Sequence, residues 1–549
     1  MPIFLLLGVD YNAQNDGFEE SRKYLINNIA HTMPHTPSKI DSIKAKKLTS
    51  GPLLARNSIW NLVGQIAPMA VGIVAIPRLI HALGTDRFGV LTIAWMVVGY
   101  FSFFDLGLGR AMTNLVAQKL AAEKDHELPA VIWTANLLMA VLGLLGGVVL
   151  AFLSPVLVHH LLKTPPALQR ETTRAFYLLS LSVPFVISTA GFRGILEARQ
   201  KFRIINSVRI PMGIATFAAP LVVLPWSKEL TAVIGILVVA RAVFWLTYIY
   251  LATRDMPQIL RTVEIDRSLL PMLFSFGAWM TVSNIVSPVM EYLDRVLVGM
   301  LLSLTAVAYY ATPYEVVTKL LILPGAIVAV LFPAFSTALV ADHAHAGKLF
   351  RRTVKYVTLT LLPLTLLMVL FARNGLDIWL GPAFASHSTR VLQWLAIGVF
   401  ANGIAALPFA LIQGAGRADL TGKLHLLELP FYVATVWVLT TNFGIEGTAI
   451  AWAVRVIVDA ILLFWVAGRF ADIFLRYRSI FAATAVIGTA FALAMIRMSL
   501  PIKLLVAVLM LISLSAVTWF MLAADERALL QGLRGRLLPP RIQAKATRA

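Results

Sequence analysis

The chain has 549 residues, of which 58% are hydrophobic and only 14% charged, with a mean hydropathy of +0.79. Soluble domains stay near about 45 to 50% apolar, so these values describe a polytopic membrane protein. The absence of cysteine excludes a disulfide framework, thiol catalysis and cysteine-ligated zinc, and the net charge of +19 sets orientation in a membrane rather than marking a nucleic-acid partner.

Residues 1–55 are expected to form a polar cytoplasmic tail. The run 3-IFLLLGV-9 has no basic residues before it and no small-residue cleavage site after it, so it is a poor secretory signal. Lys39, Lys44, Lys46, Lys47 and Arg56 then lead into the first span, and such clusters stay on the cytoplasmic side.

A hydrocarbon core about 30 Å thick takes about 20 apolar residues of helix. That ruler marks six spans: Ser58 to Leu79, Phe88 to Phe104, Ala130 to Leu153, Ala175 to Phe192, Ile210 to Trp226 and Leu230 to Leu251. The polar stretch 252-ATRDMPQILRTVEIDRS-268 follows. Six more spans run Leu269 to Met290, Ala306 to Ser336, Tyr356 to Ala372, Val391 to Ile412, Leu426 to Phe443 and Gly447 to Val466, and Ile480 to Ile496 and Leu504 to Ala523 complete fourteen.

The expected fold class is therefore an all-α integral membrane protein. It divides into the tail, an N-terminal six-helix lobe at 56–251, a cytoplasmic linker at 252–268, a C-terminal six-helix lobe at 269–467, two additional helices at 468–523 and a basic cytoplasmic tail at 524–549. An extra span within 291–325 would carry the basic loop 342-DHAHAGKLFRRTVK-355 and the C-terminal tail outside, against the positive-inside rule. Glu291 to Arg295 are accordingly expected near the outer surface, beyond the seventh span.

The six-plus-six grouping suggests duplicated halves, which in transporters enclose a central site. The stretches 195-ILEARQKFRIINSVRIP-211 and 411-LIQGAGRADLTGKLHLLELP-430 share the order apolar helix, small residues, basic loop and proline-tipped helix. In 231-TAVIGILVVARAVFWL-246 and 448-TAIAWAVRVIVDAILL-463, each half places one arginine deep in a span, Arg241 and Arg455.

Several stretches in order, N57-S-I-W60, 77-PRLIHALGTDRFG-89, 105-DLGLGRA-111, 291-EYLDRVLVGML-301 and 309-YYATPYEVVTKLLILP-324, resemble the Wzx-type polysaccharide flippases. That family belongs to the multidrug, oligosaccharidyl-lipid and polysaccharide exporter superfamily. The resemblance covers roughly 50–470 and implies two six-helix bundles around a central cavity that opens alternately to either side. It further implies an undecaprenyl-pyrophosphate-linked oligosaccharide as substrate, coupling to a proton or sodium gradient, and a place in the bacterial inner membrane with both termini cytoplasmic. A polysaccharide polymerase and glycosyltransferases are the partners it implies, beside the membrane lipids. No cofactor is expected.

Charged side chains inside spans cost about 2.5 to 3.5 kcal/mol at the helix centre and normally face protein or a water-filled cavity. Arg241 has no acid within its own span. Arg455 has Asp459 four residues on, a structural pair or a gating element. Arginine also binds phosphate oxygens with a two-pronged geometry, so Arg241, Arg455 and Lys319 are the cavity candidates for an anionic substrate.

Glu315 lies four residues before Lys319, the better order for a helical ion pair, in a span interrupted by Pro313, Pro324 and Pro333. Glu315, Asp459, Glu291, Asp294 and Arg295 are the gating or ion-coupling candidates. Asp105 and Arg110 fall at the inner end of the second span and are candidates for the cytoplasmic mouth.

Arg78, His81 and Arg87 are expected to snorkel to water at the outer end of the first span. The run Arg199, Lys201, Arg203 fits the orientation rule and would attract anionic lipid. His159 and His160 lack a third ligand at zinc spacing, so no metal site is expected. A drug or cation exporter of the same superfamily remains the alternative function. A membrane glycan-modifying enzyme is disfavoured, because the loops hold no acidic metal-binding pair, no nucleophile beside a histidine and no GxxxxGK phosphate loop.

Overall fold

The computed structural model describes residues 51–101, 108–121, 124–199, 201–270, 289–328, 335, 343–415, 417–468 and 477–521. The N-terminal tail up to residue 50, Asp105, most of the seventh expected span and the tail beyond 521 lie outside them. Every regular element among the described residues is helical.

In chain order these are α1 (Gly51–Phe101), α2 (Leu108–Ala121), α3 (Leu128–Val156), α4 (Pro166–Ala198), α5 (Phe202–Val223), α6 (Leu230–Asp255) and the single turn α7 (Gln258–Arg261). A helix at 289–301, α8, follows. Then come α9 (Leu304–Val317), α10 (His343–Leu370), α11 (Ala372–Leu380), α12 (Pro382–Gly414), α13 (Ala418–Ala467), α14 (Tyr477–Ala494) and α15 (Leu500–Met521).

Among the described residues, nine helices are long and apolar enough to cross a membrane, and two shorter apolar helices lie at Ala485–Ala494 and Leu500–Ala516. The long helices α1 and α13 each contain two expected spans. The first is broken at Gly84 (φ 78°, ψ 164°) and the second at Gly444 (φ 60°, ψ −144°), backbone conformations that glycine adopts without a side-chain clash. At the second break the chain turns back on itself: the Thr440 and Thr448 hydroxyls meet at 2.8 Å.

One expectation is corrected. Residues 291–301, placed by hydropathy in an outer loop, are helical, and the turn comes at 302–303, just before α9. The charged cluster Glu291, Asp294, Arg295 lowers the hydropathy of this segment without breaking its helix, because Leu293, Val296, Leu297, Val298 and Leu301 keep an apolar face around it.

The chain packs as two units, the described residues of Met1–Thr312 with Gly416–Ala451 and those of Pro313–Ala415 with Trp452–Ala549. In the first, α4 is central and packs on α3, α2 and α6, while α5 packs on α1 and α6. Small residues allow the closest of these approaches: a side chain on Gly143 would stand 2.6 Å from Pro184 Cα, and one on Gly147 would stand 2.8 Å from the Ser180 carbonyl oxygen. Such contacts matter in lipid, where dispersion packing replaces the hydrophobic drive between helices. The opposite side of α3 leaves Leu144, Val148 and Phe152 exposed, as a lipid-facing surface requires.

Hydroxyls within the helices donate to carbonyls three or four residues earlier, for example Ser154 to Leu150 at 2.6 Å and Thr312 to Ala308 at 2.8 Å. This satisfies the hydroxyl where no water is available. In the second unit, α10 packs on α12, α14 and α15. Phe400 meets Phe491 at 5.5 Å between ring centroids, and Lys503 of α15 donates to Asn374 of α11 at 2.7 Å. The two C-terminal helices are thereby fastened to that unit.

The linker expected at 252–268 is strapped to the first unit. Met256 and Ile259 are buried, the Trp133 indole donates to the Ile259 carbonyl at 2.8 Å, and the Asp266 amide donates to the Thr134 hydroxyl at 2.9 Å. The Asp266 carboxylate accepts from the Ser268 hydroxyl and amide at 2.6 and 2.8 Å. Those bonds hold its pKa below the usual aspartate range.

Candidate functional site

Two groups of charges expected at the membrane surfaces are occupied in holding helix ends together. Arg87 does not simply snorkel: its guanidinium donates to Glu171 at 2.9, 3.1 and 3.2 Å, and the same carboxylate accepts the Leu230 amide at 2.5 Å. One carboxylate thus ties the second half of α1 to the starts of α4 and α6. Glu171 was not among the expected site residues, and no local pattern marks it, since its partners are 84 and 59 positions away.

At the other end of the same helices, Asp255 receives Arg199 at 3.1 Å and Lys201 at 3.4 Å. Two members of the basic run expected to orient the chain therefore also lock α4 to α6, while Arg203 stays exposed. His159 is likewise engaged, 2.9 Å from the Gln169 side chain.

The helix at 289–301 and the start of α9 pack within the first unit against the Gly84 break. Thr305 donates to Asp86, the Lys163 amide donates to the Gly299 carbonyl at 2.9 Å, and the Lys163 ammonium reaches the Leu301 carbonyl. A side chain on Gly89 would collide with the Leu304 carbonyl, so backbone meets backbone there.

Asp294 and Arg295 are buried within this assembly, at 0% and 3% exposure. Both side chains are thus packed inside the protein, on a helix rather than in the expected outer loop. Asp294 accepts from the buried Tyr310 hydroxyl at 2.5 Å and from the Arg295 amide at 2.7 Å, and the Arg295 guanidinium stands 5.3 Å from the Tyr292 ring centroid. Burial makes these bonds necessary, since an unpaired charge there would be costly. Glu291, on the same helix, is exposed.

Arg241 sits near the middle of α6, half-buried, and its guanidinium reaches the Thr216 hydroxyl of α5 at 3.4 Å. Among the described residues that is its one side-chain hydrogen bond, neutral and long for a charge-assisted one. In the second unit, Lys319 donates to Glu315 at 3.4 Å, with both side chains about one-third exposed. The expected i,i+4 pair is therefore present, and it lies where α9 tightens into the narrower helix Thr318–Leu321.

Arg455 and Asp459 are one turn apart on the second half of α13, the first half-buried and the second buried. Glu428, inside the span expected from Leu426, is another buried carboxylate. Its signal in the sequence is its position alone. Arg110 lies in the first turn of the short helix α2, and Asp105 falls outside the described residues. Among the described residues no group of three metal-ligating side chains occurs.

Residues 54–339 match the family model described as polysaccharide biosynthesis protein. A Shigella flexneri protein provisionally designated an O-antigen transporter is 32% identical over 421 residues, covering 77% of this chain and 99% of the relative. The uncharacterized Bacillus subtilis membrane protein EpsK is 23% identical over 416 residues, covering 72% of this chain and 79% of the relative.

Among solved structures, an inward-facing multidrug-resistance MATE family transporter superposes with a TM-score of 0.63 at 14% identity, covering 75% of this chain and 98% of that one. The lipid II flippase MurJ, inward closed, gives 0.62 at 12% identity, covering 85% and 99%. At such identities the likeness concerns the fold, which this chain shares with those two proteins. With the family model matched over more than half of this chain and a curated relative matched end to end, the chain belongs to the polysaccharide biosynthesis protein family.

Proposed function

We propose that this chain is a flippase that moves a lipid-linked oligosaccharide across the bacterial cytoplasmic membrane. The observation that carries this reading is the 32% identity to the O-antigen transporter relative along 99% of its length. The structural likeness to a lipid II flippase supports it, because lipid II is itself a lipid-linked saccharide. The substrate is an undecaprenyl pyrophosphate carrying a glycan assembled on the cytoplasmic face, and transport proceeds by alternating access between two helical lobes, 56–251 and 269–467.

In this scheme Arg241, Arg455 and Lys319 attract the pyrophosphate. A cation inside a span is retained at a cost of about 2.5 to 3.5 kcal/mol, which an anionic cargo offsets. Glu315, Asp459, Asp294, Arg295 and Glu291 serve gating or coupling to a proton or sodium gradient, and Asp105 and Arg110 flank the cytoplasmic mouth. Both termini are cytoplasmic, and a polymerase and glycosyltransferases act on the same lipid before and after it.

The test is complementation. In a strain lacking its own O-antigen transporter, expression of this chain should restore surface polysaccharide, and Arg241→Ala should abolish restoration at equal protein level. Unchanged surface polysaccharide together with lowered accumulation of cationic drugs would instead favour the exporter function.

A further inference from the structure

We propose that Trp95, Phe217, Trp245 and Phe185 form a sugar-binding platform beside Arg241, taking a pyranose ring of the cargo while Arg241 holds the adjoining phosphate. The proposal rests on the flippase reading and specifies what the first unit contributes to it.

The aromatic side chains come from four helices and meet in two pairs: Trp95 in the second half of α1 with Phe217 in α5, and Phe185 in α4 with Trp245 in α6. Trp95 lies edge-on to Phe217 at 5.2 Å between centroids, and Trp245 meets Phe185 at 5.2 Å. Arg241 is a near neighbour of one ring of each pair along its helix or its partner's. Its partner Thr216 precedes Phe217, and Trp245 follows Arg241 by one helical turn. A side chain on Gly72 would rest 3.5 Å from the Phe217 ring, so the bare backbone of α1 keeps that neighbourhood narrow.

Three properties distinguish this cluster from ordinary packing. All four rings are half-buried rather than sealed in the core. The indole N–H groups of Trp95 and Trp245 are buried and meet no acceptor among the described residues, although a buried indole normally finds one and an unmatched donor is costly. Their depth is also unusual. Tryptophan in membrane proteins favours the interfacial belts, as the exposed Trp226 just beyond the end of α5 does, whereas Trp95 and Trp245 lie mid-helix.

A pyranose supplies what these groups lack. Its C–H face packs on the negative face of an aromatic ring, and its hydroxyls accept from an indole N–H. A cation beside an aromatic wall therefore matches a sugar joined directly to a phosphate, with Arg241 bonding the phosphate oxygens.

The full chain, purified in detergent, can be titrated with a polyprenyl pyrophosphate, bare or bearing one N-acetylglucosamine, by microscale thermophoresis. The sugar is expected to strengthen binding about tenfold. The double variant Trp95→Ala, Trp245→Ala should narrow that gain to about twofold or less. The double variant Trp95→Phe, Trp245→Phe keeps aromatic packing and deletes only the donors, so the gain should fall to about threefold. Arg241→Ala should weaken both lipids together.

No gain from the sugar in the wild type, or an undiminished gain in the double phenylalanine variant, overturns the platform and leaves the flippase reading standing. Failure of the wild type to bind either lipid removes the flippase reading, and the platform with it.

Discussion

Arg87 and Glu171, 84 positions apart, are joined by three nitrogen–oxygen contacts of 2.9 to 3.2 Å, and the carboxylate is left with only 14% of its side chain exposed. Because the same group accepts the Leu230 amide, Glu171→Ala removes the anchor of three helix segments at once. We expect a loss of about 2 to 4 kcal/mol in detergent, read as a lowered midpoint of thermal unfolding. Glu171→Gln keeps acceptance of the amide and should cost about half as much. A wild-type midpoint for Glu171→Ala would show that the clamp is unimportant.

Gly89 faces the Leu304 carbonyl without room for a side chain. Gly89→Ala must push the start of α9 away from α1, with an expected destabilisation of about 1 to 3 kcal/mol. Gly325, where a side chain would meet nothing within 4 Å, provides the control: Gly325→Ala should leave unfolding unchanged or raise its midpoint slightly. The two midpoints measured side by side decide the matter.

Among the described residues Arg241 makes one long contact, to a neutral hydroxyl, so its removal leaves little unmatched among them. Arg241→Ala should keep the folded yield and lower polysaccharide export about tenfold or more. Arg241→Lys separates charge from geometry: export that stays low despite the retained charge indicates two-pronged phosphate binding. Normal export by Arg241→Ala at wild-type protein level would remove this residue from the substrate path.

The Glu315–Lys319 pair is about one-third exposed, and its two ends are linked at 3.4 Å within one helix. Such a pair contributes little to stability, about 0.3 to 0.5 kcal/mol. If it gates or couples transport, Glu315→Gln should alter export far more than it alters unfolding. Equal small effects on both would make the pair structural.

Asp266 gives a pH dependence with a definite sign. Its carboxylate pKa is held below the usual aspartate range by the Ser268 hydroxyl and amide, so the contribution is complete above that range and disappears as pH falls through the lowered value. Hydrogen exchange at 266–270, corrected for intrinsic rates, should rise on acidification below the usual aspartate range. Asp266→Asn should show raised exchange already at neutral pH. Wild-type exchange in that variant would mean that the Thr134 contact alone fastens the linker.

The long apolar helices were legible because hydropathy over about 20 residues reports directly on transfer into lipid. The Glu315–Lys319 pair was legible for a similar reason: partners four apart on one helix are neighbours by geometry alone. Residues 291–301 misled, since hydropathy counts Glu291, Asp294 and Arg295 as polar wherever they point, and the Tyr310 hydroxyl that helps satisfy Asp294 cannot be seen locally. Glu171 and Asp255 were invisible as clamps for the same reason, each serving partners dozens of positions away.

Composition and hydropathy alone thus specify a many-helix membrane protein, and the ordered stretches from Asn57 to Pro324 point to its family. These properties are encoded in transfer energies and short-range periodicity, which need no knowledge of neighbours. Which charges are spent on holding helices together, and which aromatic rings gather beside Arg241, was decided only by packing. Arg87 and Arg241 are both arginines of an apolar chain, yet one meets a carboxylate and the other a hydroxyl, because the fold brings α4 to the first and α5 to the second.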